Sequence, residues 1–148
     1  MAGTPFHIVI TEDDEDDVFL LTDALRSLGG RQIKISNFSN GLDLLNYLHK
    51  TTTTPDAILP HVILLDINMP VLDGFDTLKR IKSDDKLKRL PVYIVTTLRD
   101  MDRLEKGLEL GANNFFTKPN HVGGYRKIVE EVMQDQLFAM PQAPEIVK

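Results

Sequence analysis

Six polar side chains stand where short apolar runs end. Glu12 and Asp13 follow Phe6–Thr11, Asp66 follows Val62–Leu65, Thr96 and Thr97 close the run from Val92, and Lys118 follows Asn114–Thr117. If the fold brings these ends together, three carboxylates, a hydroxyl and an ammonium share one pocket. Three acids in one pocket repel and raise each other's pKa values unless something positive neutralises them. A hard divalent cation does this best: Mg²⁺ (or Mn²⁺) takes oxygen ligands, keeps several waters, and uses one or two carboxylates together with phosphate oxygens. In that setting a carboxylate such as Asp66 can act as a nucleophile and form an acyl phosphate. Lys118 supplies a second positive point charge, and the Thr96 hydroxyl a hydrogen bond to a phosphoryl oxygen.

Each piece has a plainer explanation when taken alone. An Asp after a strand is often a turn former or a helix cap. The acids run unbroken from Glu12 to Asp17, and such blocks are usually solvated chain. Here a helix start accounts for most of the run, with Asp14 as cap and Glu15, Asp16 and Asp17 where the helix dipole favours anions. Thr96 and Thr97 have ordinary β propensity. The joint placement carries the argument, so the elements must be considered.

Apolar, β-rich runs alternate with segments of helical period. Strands are predicted at Phe6–Thr11, Gln32–Ser36, Val62–Asp66, Val92–Thr97 and Asn114–Thr117. Helices are predicted at Asp14–Leu28, Asn40–His49, Gly74–Ser83, Asp100–Leu110 and Val122–Phe138, with inward stripes such as Val18, Leu21, Leu25 and Leu28. Thr51–Thr54 and Pro55 read as a polar loop. Five strand–helix alternations with right-handed crossovers give an α/β fold, a (βα)5 doubly wound, five-stranded parallel sheet. Ligands of such sheets bind outside the carboxyl ends of the strands, where the strand order reverses. All six polar residues fall at that edge.

The chain of 148 residues fits one domain, placed at 5–138, with a polar tail at 139–148. It has no cysteine, which excludes disulfides and thiolate metal sites. A net charge of −5 argues against nucleic acid and anionic membranes as partners. No apolar run reaches membrane-span length, and Met1–Pro5 lacks the pattern of a signal peptide, so a cytoplasmic protein is expected.

Four segments resemble the receiver domains of bacterial response regulators, in the family's order and spacing: IVITEDD, ILLDINMPVLDG, YIVTT and GANNFFTKP. The resemblance runs from about Phe6 to Gln134 and implies the flavodoxin-like receiver fold. It implies that Asp66 is the phosphorylated aspartate, that Asp13 binds the metal directly and Glu12 through water, and that Asn68 offers a backbone carbonyl to the metal. Thr96 matches the switch hydroxyl and Lys118 the lysine that contacts phosphate, with a cis Lys118–Pro119 peptide. Gly74 closes the loop beside the site. The aromatic switch position falls on Phe115, where the family often has Tyr, so coupling to Thr96 must work by packing.

The acidic run, the threonine pair and LKRLPVYIVTT are similar to single-domain regulators paired with phytochrome-type histidine kinases. That implies a sensor histidine kinase as partner, no output domain, self-catalysed phosphorylation and slow hydrolysis. It also implies a homodimer through the fourth helix, fifth strand and fifth helix, to which Phe115, Phe116, Tyr125 and Phe138 could contribute unless the core takes them. A phosphorylation-independent receiver-like binding or dimerisation module is the alternative, weakened by the presence of Asp13, Asp66 and Lys118 together. A haloacid dehalogenase would need a DxD pair and a cap domain. A nucleotide-binding flavodoxin-like domain would need a phosphate loop where this chain carries acids.

Overall fold

The computed structural model describes residues 3–139, and side chains within that range through Leu137. Of the tail expected at 139–148, Ala139 is the last residue of a helix and residues 140–148 lie outside the described residues, as does the side chain of Phe138. Among the described residues there are five strands: β1 (Phe6–Thr11), β2 (Ile33–Phe38), β3 (Val62–Leu65), β4 (Val92–Thr96) and β5 (Asn114–Thr117). Five helices alternate with them: α1 (Glu15–Ser27), α2 (Gly41–Thr53), α3 (Gly74–Ser83), α4 (Met101–Glu109) and α5 (Gly124–Ala139). The strands pair in parallel in the order β2-β1-β3-β4-β5. The order reverses between β1 and β3, so the crevice for chemistry opens above those two strands.

Alternate residues of each strand feed opposite cores, as a pleat with helices on both faces requires. Phe6, Ile8, Ile10, Val62, Leu64, Tyr93 and Val95 pack with Leu21 and Leu25 of α1 and Val129 and Val132 of α5. Val9, Ile63, Leu65, Val92 and Ile94 pack with Leu44, Leu45 and Leu48 of α2 and Leu78 and Ile81 of α3. Of the aromatic residues weighed for a homodimer, Tyr125 is buried, Phe116 packs on the first core and Phe115 on the second.

Helix ends follow their local chemistry. Asp14, Asn40, Asp73 and Asp100 each cap a helix by accepting backbone N–H bonds in its first turn. Gly29 and Gly30, at φ +65° and +75°, turn the chain out of α1. One connection departs from the expectation. The segment Thr51–Thr53 is helical, the last turn of α2, where a polar loop was predicted. Its threonines donate to carbonyls one turn back, Thr51 Oγ1 to Tyr47 O at 2.8 Å and Thr53 Oγ1 to Lys50 O at 3.1 Å. Back-bonding of this kind satisfies the threonine hydroxyls inside a helix that β-branched residues otherwise disfavour.

At the amino-terminal edge of the sheet, away from the acids, two histidines are set into the packing. The His7 N–H donates to His61 Nδ1 at 2.9 Å, His7 Nε2 bonds Ser36 Oγ at 2.8 Å, and His61 stacks on Phe6 with ring centroids 4.6 Å apart. Burial lowers the pKa of both rings below the ordinary 6.5, helped by Lys34 at His7 and by Arg31 at His61. Above pH 6.5 both rings are neutral in the folded and the unfolded chain. Below it the unfolded chain takes up protons first, so their contribution to stability is lost as pH falls from 6.5 to the lower folded values. NMR titration should give midpoints below 6.5 for both rings. The stability difference between wild type and a His7→Gln/His61→Gln variant should shift against wild type over the same window.

Candidate metal and phosphoryl-acceptor site

The site is assembled by strand ends. Thr11 is the last residue of β1, so Glu12 and Asp13 sit on the turn into α1; the Asp66 N–H donates to Thr11 O at 3.0 Å, which fixes Asp66 beside them. Thr96 pairs across the β4–β5 ladder with Thr117, and Lys118 follows with its N–H on Thr96 O at 2.8 Å. Glu12, Asp66, Thr96 and Lys118 are all buried, while Asp13 and Asn68 are exposed at the mouth. All the sequence-predicted site residues therefore lie at one edge, with Phe115 in the core beneath, beside Ile94 of the neighbouring strand across the sheet ladder.

One carboxylate oxygen from each of Glu12, Asp13 and Asp66 lies within 4.8 Å of the others. The Lys118 ammonium spans the buried side of this group, 2.6 Å from Glu12 Oε1, 2.7 Å from Asp17 Oδ2 and 3.2 Å from Asp66 Oδ2. The two oxygens of Asp66 are thereby distinguished. Oδ1 accepts the Ile67 N–H at 2.7 Å, and Oδ2 faces Lys118. The Thr96 hydroxyl accepts the Leu98 N–H at 3.2 Å, which leaves its own hydrogen free to be donated.

Burial dominates the electrostatics and is answered by pairing. It pushes Glu12 up to about 7, against the pull of its bonds to Lys118 and to the Asp14 N–H. Burial also works against the Lys118 charge, but hydrogen bonds to Asp17 and Glu12 and the field of Asp66 outweigh it, so its pKa is raised. The ammonium stays charged.

The loop after Asp66 is held close by Gly74. The Gly74 N–H donates to Ile67 O at 2.8 Å, and a Cβ at this position would lie 2.2 Å from Asp66 O. The chain reaches Gly74 through a tight turn in which the Leu72 N–H bonds Pro70 O at 2.7 Å, with Val71 at φ +70°. Positive φ is costly for a β-branched residue, and the Val71 side chain is exposed.

Two features of the site differ from the sequence reading. The Lys118–Pro119 peptide is trans, where a cis bond was expected. Trans is the lower-energy isomer of an X–Pro bond by about 0.5–1 kcal/mol. Asp17 is more than a helix-start acid: its Oδ2 holds Lys118, and its Oδ1 accepts the Tyr125 hydroxyl at 3.1 Å. Its position three residues after the cap Asp14 aims it back across the first turn toward the strand ends. No sequence signal separated it from Glu15 and Asp16, because its partners come from β5 and α5.

The sequence matches the response regulator receiver domain family over residues 8–130. FilR2, a probable methanogenesis regulatory protein of Methanothrix harundinacea, is 30% identical over 135 residues, spanning 90% of this chain and 84% of that protein. The response regulator Rcp1 of Synechocystis is 29% identical over 131 residues and 88% of each chain. Among solved structures, the phosphorylated cyanobacterial phytochrome response regulator RcpA superposes with a TM-score of 0.83 at 28% identity, over 93% of this chain and 98% of that one. The Mn²⁺-bound form of Rcp1 gives a TM-score of 0.80 at 28% identity, with the same coverage. A match of this extent, on a sheet of this strand order, places the chain in the response regulator receiver domain family of two-component signalling.

Proposed function

We propose that this receiver accepts a phosphoryl group on Asp66 from a phosphohistidine of a sensor histidine kinase, in a reaction that needs a divalent metal. The observation that carries the reading is the asymmetric environment of Asp66, one oxygen pinned by the Ile67 N–H and the other turned to Lys118 beside two more acids. In the transfer, a carboxylate oxygen of Asp66 forms a bond to phosphorus while the phosphorus–nitrogen bond of the donor breaks. The donor imidazole keeps the electron pair and is protonated from solvent.

The residues present fit a hard cation. Glu12, Asp13 and Asp66 supply only oxygen donors, grouped closely enough for one ion, and Asn68, exposed two residues after Asp66, would add its backbone carbonyl. A bound Mg²⁺ or Mn²⁺ supplies the charge that offsets these acids and the phosphoryl oxygens. Lys118 contributes a fixed positive charge on the opposite flank, and Thr96 a buried hydroxyl donor at the same edge. Phosphorylation adds close to two negative charges there. Thr96 drawn toward them would pull on Thr97–Asp100 and α4, with Phe115 following by packing.

The kinship with Rcp1 and RcpA supports a kinase of the phytochrome type as donor. Pairing of two copies through α4, β5 and α5 would use the exposed Met101 and Leu108 of α4 and the outer parts of the half-buried Phe115 and Phe116, while Tyr125 is buried. Among the described residues no helix is long and apolar enough to cross a membrane.

Intact-mass spectrometry after treatment with acetyl phosphate, with and without Mg²⁺, tests the reading. Wild type should gain one phosphoryl group only with the metal, and Asp66→Asn should gain none. A gain by Asp66→Asn equal to that of wild type would move the acceptor elsewhere.

A further inference from the structure

The Lys118 ammonium has three N–H donors, and three carboxylates surround it, Glu12 at 2.6 Å, Asp17 at 2.7 Å and Asp66 at 3.2 Å. Its weakest contact is with the acid that reacts. Asp17 is the only one of these partners outside the group of acids suited to a cation. It stands on α1, and its second oxygen is anchored by the Tyr125 hydroxyl of α5 at 3.1 Å. The Asp17 side chain is 20% exposed, so its pairing with Lys118 is shielded from water.

We propose that Asp17, held by Tyr125, is a positioning residue that holds the Lys118 ammonium back from Asp66, keeping that contact the longest of its three and leaving electron pairs of Asp66 for the metal and for phosphorus. With an amide in place of the Asp17 carboxylate, the ammonium has only Glu12 and Asp66 as anionic partners. It then competes with the divalent cation for the same oxygens and occupies an electron pair that Asp66 needs for attack. With the Asp17 carboxylate in place, one N–H remains tied to α1 while another is free to turn from Asp66 to a phosphoryl oxygen. The contact also links Lys118 to the α1–α5 junction, so Tyr125 acts on the site without touching it.

The kinetic arm of the test rests on the phosphoacceptor reading; the metal arm does not. Mg²⁺ affinity is measured by calorimetry and phosphoryl gain from acetyl phosphate by mass, on folded protein checked by thermal melting. Asp17→Asn should weaken Mg²⁺ binding and slow phosphoryl gain by about tenfold each, the low end for loss of a residue that orients a site group. Tyr125→Phe should move both in the same direction by less, and the double variant should be no worse than Asp17→Asn, because the tyrosine acts through the aspartate. Asp16→Asn removes the same charge from an exposed neighbour on the same turn and should leave both within about twofold, as expected of a solvent-screened charge.

Equal effects of Asp17→Asn and Asp16→Asn would overturn the proposal in favour of a general charge effect. So would additive effects of Asp17→Asn and Tyr125→Phe. Should Asp17→Asn fail to fold, Tyr125→Phe with unchanged Mg²⁺ affinity overturns it alone. If wild type gains no phosphoryl group, the proposed function falls while the metal arm still decides the role of Asp17.

Discussion

Replacing Lys118 by Met should slow metal-dependent phosphoryl gain by about a hundredfold or more, the scale of losing one preorganised charge-stabilising group. The same change should lower the stability of the metal-free protein by about 3 kcal/mol, because it strands buried acids without their shared cation. The acids concerned are Glu12 and Asp66, with side chains 3% and 6% exposed, and the partly buried Asp17. Mg²⁺ should restore part of that stability by neutralising Glu12 and Asp66, while phosphoryl gain stays slow because the metal cannot replace the second charge. Urea unfolding with and without Mg²⁺, paired with rates from mass spectrometry, separates the two effects. Stability independent of the substitution would mean that the three contacts are not energetically coupled to the fold.

A methyl group at position 74 should be nearly as damaging, by a different route. The Cβ of Gly74→Ala would lie 2.2 Å from Asp66 O and 2.7 Å from Ile67 Cα, and both are backbone atoms of the loop that carries the acceptor. Neither can swing aside as a side-chain tip could, so the start of α3 and the strand end must separate. The cost should be about 3 kcal/mol, the upper part of the range for overpacking. The Gly74 N–H to Ile67 O bond would stretch with it, and Asp66 would move relative to Lys118. A large loss in chemical denaturation midpoint together with slowed phosphoryl gain is therefore expected. Gly123→Ala is the internal control, since its Cβ would meet nothing closer than 3.5 Å, and it should stay within about 0.5 kcal/mol. If the two alanines cost the same, the close approach at Gly74 is relieved by local adjustment.

These expectations share one physical theme. The site gathers negative charge in a place with little water, and each acid persists because a specific neighbour answers it. Lys118 answers Glu12, Asp17 and Asp66 together, the Ile67 N–H answers one oxygen of Asp66, and the Asp14 N–H answers Glu12 Oε2 at 3.0 Å. Asp13, the third acid of the cluster with Glu12 and Asp66, is exposed to water at the mouth.

By itself the sequence determined the alternation of strands and helices, and with it the edge at which Glu12, Asp13, Asp66, Thr96 and Lys118 had to meet. Those features are local: apolar runs, caps such as Asn40 and stops such as Gly29 and Gly30 act within a few residues. The resemblance to receiver domains added the expectation that Gly74 closes the loop beside the acceptor. What only the tertiary structure decided are the partners that come from distant elements. Asp17 looked like its neighbours in the acidic run until α5 and β5 brought Tyr125 and Lys118 against it, 108 and 101 residues away in sequence. The extra turn of α2 runs through three threonines whose β-branched side chains have low helix propensity, so local preference alone did not reveal it. The trans Lys118–Pro119 bond is likewise a property of the folded loop, since an X–Pro peptide separates its isomers by about 1 kcal/mol or less and the sequence leaves both within reach.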